Sequence, residues 1–236
     1  MSERILIVNA DDLGLSVAVN MGIARGHEHG VVTSASLLVR GAAAEDAGEY
    51  ARSHPELSVG LHVDLGEWSY RDGAWVAEYE VVDLDDHRAV ELEVARQLDR
   101  FHELTGDAPT HLDSHQHLHR NDPARSVIVR AASSVDAPVR GCHLSIAHRG
   151  DFYGQDGRGR PYPECISLAA FERIVASLSP GWTELGCHPG ELDGSSEGMY
   201  QEERAVELGV LCDERARQVL DRHRVGLSSF RAFART

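Results

Sequence analysis

Residues 111–119 read His-Leu-Asp-Ser-His-Gln-His-Leu-His, which gathers four of the chain's 14 histidines around one aspartate. Imidazoles and carboxylates hold divalent metals and move protons near neutral pH, so this density points to chemistry. Further residues of these types stand where short apolar runs end: Asp11 and Asp12 after Ile-Leu-Ile-Val-Asn-Ala, His62 late in Ser-Val-Gly-Leu-His-Val, and His188 after Thr-Glu-Leu-Gly-Cys. If residues 110–117 extend as a strand, alternation puts His111, Asp113, His115 and His117 on one side. His115 or His117 is then nearest the strand end as a metal ligand. His111 and Asp113 lie deeper as supports, and His119 faces solvent or substrate.

Two imidazoles and one carboxylate leave positions open on an ion for a water and a substrate oxygen, which hydrolysis requires. Such an ion lowers the pKa of water from about 15.7 to about 7, and a non-ligating carboxylate beside it takes the proton. Asp11 and Asp12 supply a residue for each task. The donor set does not choose between magnesium and zinc. Each residue also has a plainer reading: an Asp pair can simply open a turn and cap a helix, and a lone strand histidine can complete a buried hydrogen bond. Coincidence at four strand ends favours the metal site.

That coincidence has meaning only if the strands run parallel. Strand-like runs at 4–9, 31–39, 58–65, 110–115, 138–144, 182–187 and 225–230 alternate with helical stretches and make about seven strands. Val94, Leu98 and Phe101 share one face of the stretch 88–105, and Val206, Val210 and Leu211 share another. Gly30, Gly106 and Gly226 stand where helices should stop. The alternation predicts an α/β fold of parallel strands in one domain over residues 1–236, closed into a (β/α) TIM-like barrel or wound as an open sheet, with the barrel favoured and active residues at the carboxyl ends of the strands. Glu67–His87 and His148–Pro163 show no period and read as loops over one face.

Composition excludes other classes. The net charge is −15, the 23 basic residues are all arginine, and no basic stripe is present, so no nucleic-acid partner is expected. Four scattered cysteines without a CxxC pair suggest reduced thiols, and Cys187 reads as a packing residue turned away from His188. The amino terminus lacks a signal-peptide core, and no run approaches the about 18 apolar residues of a membrane span, so a cytoplasmic protein is expected. The glycines form neither a dinucleotide fingerprint nor a Walker loop, and Gly194-Ser195-Ser196-Glu197-Gly198 is no nucleophile elbow.

The blocks Asn-Ala-Asp-Asp-Leu-Gly-Leu-Ser (9–16), Gly-Val-Val-Thr-Ser-Ala-Ser-Leu-Leu-Val (30–39), Val-Gly-Leu-His-Val-Asp-Leu (59–65), Thr-His-Leu-Asp-Ser-His-Gln-His-Leu-His (110–119) and Glu-Leu-Gly-Cys-His-Pro-Gly-Glu-Leu-Asp (184–193) occur in this order. With the closing Tyr-Gln-Glu-Glu-Arg-Ala-Val-Glu-Leu and Val-Gly-Leu-Ser-Ser-Phe-Arg-Ala-Phe, the chain resembles the YdjC/ChbG-type carbohydrate deacetylases from residue 4 to about 234. The resemblance implies a distorted barrel with one divalent metal ion at its carboxyl-end face, often a homodimer, that hydrolyses the N-acetyl group of acetylated amino sugars. By motif it implies Asp12, His62 and His115 as metal ligands, Asp11 as general base and His188 as general acid. Arg140 matches a basic position of the family and is open between a site contact and a surface ion pair. Asp113 and His117 stand with it as supporting or substrate-binding candidates.

The chain departs from the family pattern at Leu13, where Phe is usual, in a shorter segment between His62 and His111, and at Gly150–Asp156. The expected reaction is removal of an N-acetyl group from an amino sugar, oligosaccharide or glycolipid. Hydrolysis of an O-acetyl ester or a non-sugar amide is the alternative. A non-catalytic glycan-binding module fits less well, because Asp11 and His188 are both retained.

Overall fold

The computed structural model describes residues 3–192 and 200–234, so the run Gly194–Gly198 lies outside the described residues. Its central strand, β1 (Arg4–Leu13), is buried continuously from Leu6 to Leu13, the pattern of a parallel strand covered on both faces. The chain continues through α1 (Val17–His29), β2 (Ser34–Leu37), α2 (Ala44–Ser53), β3 (Ser58–Val63), the hairpin β4 (Gly66–Arg71) and β5 (Ala74–Glu80), and α3 (His87–Thr105). Then come β6 (Leu112–Ser114), a 3₁₀ turn His115–Arg120, α4 (Ala124–Ser134), β7 (Ile146–Arg149), α5 (Leu168–Ala176) and β8 (Gly181–Cys187). It closes with α6 (Glu202–Leu211), α7 (Glu214–His223), β9 (Val225–Ser228) and α8 (Phe230–Phe233).

Seven parallel strands curl in the order β6-β3-β2-β1-β8-β7, with β9 paired to the first residues of β1. The start of β1 is held by β8 and β9 and its end by β2, so the sheet splays around β1. A distorted (β/α) barrel results, as expected. α3 shows how the outer layer is fastened: Asp86 caps its first turn, Gly106 at φ 77° ends it, and Val90, Val94, Phe101 and Leu104 are buried against the sheet. Each such side chain contributes roughly 1.5–3 kcal/mol by leaving water. Among the described residues no helix is long and apolar enough to cross a membrane.

Several local expectations are corrected. Pro138–Leu144 is not a strand: Val139 makes one isolated bridge to Leu112 before Gly141, at φ 65°, turns the chain, and the strand is β7. Consequently His148–Pro163 begins inside a strand, and Glu67–His87 contains an antiparallel hairpin. Gly226 lies within β9, because Arg224 in the left-handed conformation ends α7. Val206 is 46% exposed; of its expected face Leu211 is buried and Val210 packs against the core, with Glu207 and Leu208 buried beside them. Finally, the strand in the histidine segment stops at Ser114, and Gln116 and His117 take positive φ. Alternation therefore does not extend to His117, and His119 is fully buried, its ring bonded to Ser114.

Candidate active site

Because the strands are parallel, their last residues meet at one end of the barrel. Asp11 and Asp12 close β1, His62 is the fifth residue of β3, His115 follows β6, and His188 follows β8. They line a cavity of about 950 Å³ with Arg140, large enough for a saccharide-sized ligand. Asp12 sits at φ 68°, a strained backbone for a non-glycine residue that swings it out of the strand; the helix cap is Ser16 instead.

One oxygen of Asp12, Oδ1, lies 3.3 Å from His62 Nε2 and 3.2 Å from His115 Nδ1. Its other oxygen accepts a 2.6 Å hydrogen bond from Arg204. The three donors lie within 4.8 Å of one another and could hold a metal ion. A second set within the same distance, Asp11, His62 and Asp113, fits less well because Arg140 already occupies both carboxylates. β3 and β6 pair His62 directly with Asp113, and the His62 Nδ1–H donates to Asp113 at 2.6 Å. That bond fixes the tautomer and leaves Nε2 free to bind. Burial disfavours charge on His62 and His115, but Asp113 holds His62 well above the imidazole range, while Asp12 and Glu67 push His115 up to about 9.

Arg140 is buried and settles the choice left open for it. Its Nη1 and Nη2 each donate to Asp11 at 2.6 Å, Nη2 also lies 2.7 Å from Asp113, and Nε donates to Glu184 at 2.7 Å. Burial alone would raise the Asp11 carboxyl, yet the guanidinium holds it well below the usual carboxylate range. Glu184, more weakly compensated, is pushed by burial up to about 7. His188 Nε2 lies 3.6 Å from Asp11, and burial lowers its imidazole to about 4, so it is neutral at pH 7.

The remaining histidines separate from this group. His117 lines the cavity with its ring 5.7 Å from His119 and 5.8 Å from His148, and burial lowers it to about 2. His111 is no support for the donor set: it stacks on Phe230 at 3.8 Å, in space that Gly60 leaves by lacking a Cβ. Cys187 is fully buried and donates to the Asn9 carbonyl, a packing role as expected.

Arg204, Glu207, Tyr153 and Tyr200 also build the site, and sequence reasoning assigned none of them a part. The two tyrosine rings stack at 4.5 Å and both meet the edge of His188. Tyr200, Arg204 and Glu207 lie in a block that carried the family resemblance, but nothing local in Glu-Glu-Arg-Ala-Val-Glu distinguishes them from charges on a solvated helix face.

Fold and site together define a β/α-barrel protein with an Asp-His-His donor set and an Asp–His pair at the carboxyl ends of its strands. The YdjC-like protein family matches residues 5–222, and the chain belongs to it. A carbohydrate deacetylase of Geobacillus stearothermophilus is 33% identical over 250 residues, covering 98% of each chain. A chitooligosaccharide deacetylase of Klebsiella pneumoniae (strain 342) is 36% identical over 233 residues, 89% of this chain and 91% of that protein. The crystal structure of a proposed cellobiose-phosphate cleavage protein from Enterococcus faecalis V583 shares the fold, with a TM-score of 0.81 at 23% identity over 98% of this chain and 99% of that one.

Proposed function

We propose that the protein is a metal-dependent hydrolase that removes the N-acetyl group from an acetylated amino sugar, oligosaccharide or glycolipid. One observation carries this reading: the donor set Asp12, His62 and His115 stands beside an ionised Asp11 and a neutral His188 on the wall of one cavity. The names of the relatives support the acetylated sugar as substrate class.

Asp12, His62 and His115 would hold a divalent ion, which would supply Lewis acidity toward an acyl oxygen and would acidify water. Asp11, kept ionised and oriented by the Arg140 fork, accepts the proton of the attacking water. His188 Nε2, 3.6 Å from Asp11, is the neighbouring base through which that proton reaches the departing nitrogen. An alkylamine leaves only with a proton, so this delivery decides whether an amide is cleaved. Asp113 keeps His62 in the tautomer that presents Nε2.

Released acetate tests the reading, measured from N-acetylated mono- and oligosaccharides and one glycolipid with metal-stripped protein and Zn, Mg, Mn or Co restored. Metal-dependent acetate release is expected, and Asp11→Asn and His115→Ala, each confirmed as folded, are expected to lose at least about 100-fold in kcat. Full activity in either variant sinks the assignment, and acetate from O-acetyl esters alone moves the reaction to ester cleavage.

A further inference from the structure

Among the described residues His188 lacks the side-chain partner that commonly orients a catalytic imidazole. Its Nε2 faces Asp11, and its buried Nδ1 has no hydrogen-bond partner among the described residues. The imidazole is placed instead by its backbone and by the two tyrosine rings, at 5.1 Å from Tyr153 and 5.6 Å from Tyr200. Both constraints converge on Glu207, which has no exposed surface. One Glu207 oxygen accepts the His188 backbone N–H, and the other accepts the Tyr200 hydroxyl. That hydroxyl oxygen in turn accepts the Gly154 N–H, tying in the Gly150–Asp156 segment that carries Tyr153. β8 ends at Cys187, so Glu207 satisfies a donor that no neighbouring strand takes.

We propose that Glu207 is a positioning residue for proton delivery to the leaving group, fixing His188 through its backbone N–H and through the Tyr153–Tyr200 pair. The proposal rests on the reading of His188 as the general acid. A buried carboxyl group, raised by burial to about 8, is an expensive way merely to dock a helix, since an apolar residue of similar size would pack without burying polar oxygens. Here its two oxygens engage two segments that both border the cavity.

Leaving groups separate positioning from simple support. An amide needs a protonated nitrogen, whereas p-nitrophenolate departs without a proton. The metal-loaded full-length protein is assayed on N,N′-diacetylchitobiose and on p-nitrophenyl acetate, with metal content measured for every variant. Glu207→Ala is expected to lose about 10- to 100-fold in kcat on the sugar amide with KM within about twofold, and to change ester turnover by less than about threefold. Glu207→Gln, which keeps an accepting oxygen, recovers most of that loss, and Tyr200→Phe, which keeps the ring, shows a smaller loss on the amide alone.

Equal losses on both substrates at unchanged metal content overturn the proposal, as does full amide activity in Glu207→Ala. His188→Ala is the control for the underlying reading. It must show the same preference for damage to the amide reaction, and if it does not, the acid assignment and this inference fall together. A wild-type protein that cleaves the ester but not the sugar amide has the same consequence.

Discussion

At the scale of single residues, the centre is organised by one cation, Arg140, among Asp11, Asp113 and Glu184. Replacing it with Met leaves those buried carboxylates without their shared partner, and removing one side of a buried charge cluster costs about 3–5 kcal/mol. Arg140→Lys keeps the charge but has no fork to hold Asp11 by both oxygens, so kcat falls with a smaller loss of stability. Urea unfolding beside acetate release checks both, and a Met variant as stable as wild type contradicts the account. Most of this centre was legible because ligand-type side chains at strand ends break an apolar pattern: Asp11, Asp12, His62, His115 and His188 all come to one cavity. Glu207 was not legible, since a glutamate three residues after Arg204 looks like a surface helix pair, and nothing local reveals that its face is buried.

At the scale of elements, the His188-Pro189-Gly190 turn is seated by a contact between two glycines. A Cβ built on Gly22 of α1 would stand 2.4 Å from Gly190 Cα, and the Glu191 N–H donates to the Ala18 carbonyl of the same helix. Gly22→Ala is therefore expected to destabilise by about 1–3 kcal/mol and to lower kcat by displacing His188. Gly209→Ala in α6 serves as the contrast, because nothing lies within 4 Å of its Cβ and the added helix propensity stabilises by up to about 1 kcal/mol. Thermal unfolding of both variants decides the matter, and similar shifts in the two would refute the close-approach argument. The elements themselves were only partly readable. Periodicity found α3, whereas β7 is four residues long and among the described residues pairs only with β8, too short to show a pattern. The hairpin did carry a signal, Asp72-Gly73 with both residues at positive φ, which is the hairpin turn such a dipeptide favours.

At the scale of the whole molecule, the buried histidines make stability depend on pH. Burial lowers His111 to about 3 and His119 to about 4, and neither has exposed surface. Their folded pKa values lie below the value of about 6.5 for an unfolded chain. As pH falls from 6.5 toward 4, the unfolded chain takes up protons that the folded protein refuses, and stability is lost. Two such groups contribute a slope near 3 kcal/mol per pH unit in that window, about 1.4 for each proton, and Glu184 and Glu207, raised by burial to about 7 and about 8, each oppose it by about 1.4 above the unfolded carboxylate range. The partly exposed His117, His148 and His188, lowered in the same sense, steepen it, and Asp11 and Asp12, held below the carboxylate range, add to the loss at still lower pH. His115 runs the other way: raised to about 9, its contribution is complete below about 6.5 and disappears as pH rises through 9, provided no metal has displaced its proton. Metal-free protein should thus be most stable between these two limbs. Urea unfolding at half-unit steps from pH 4.5 to 9.5 measures the curve, and a flat profile between 4.5 and 6.5 would contradict the excess of lowered histidines over raised glutamates.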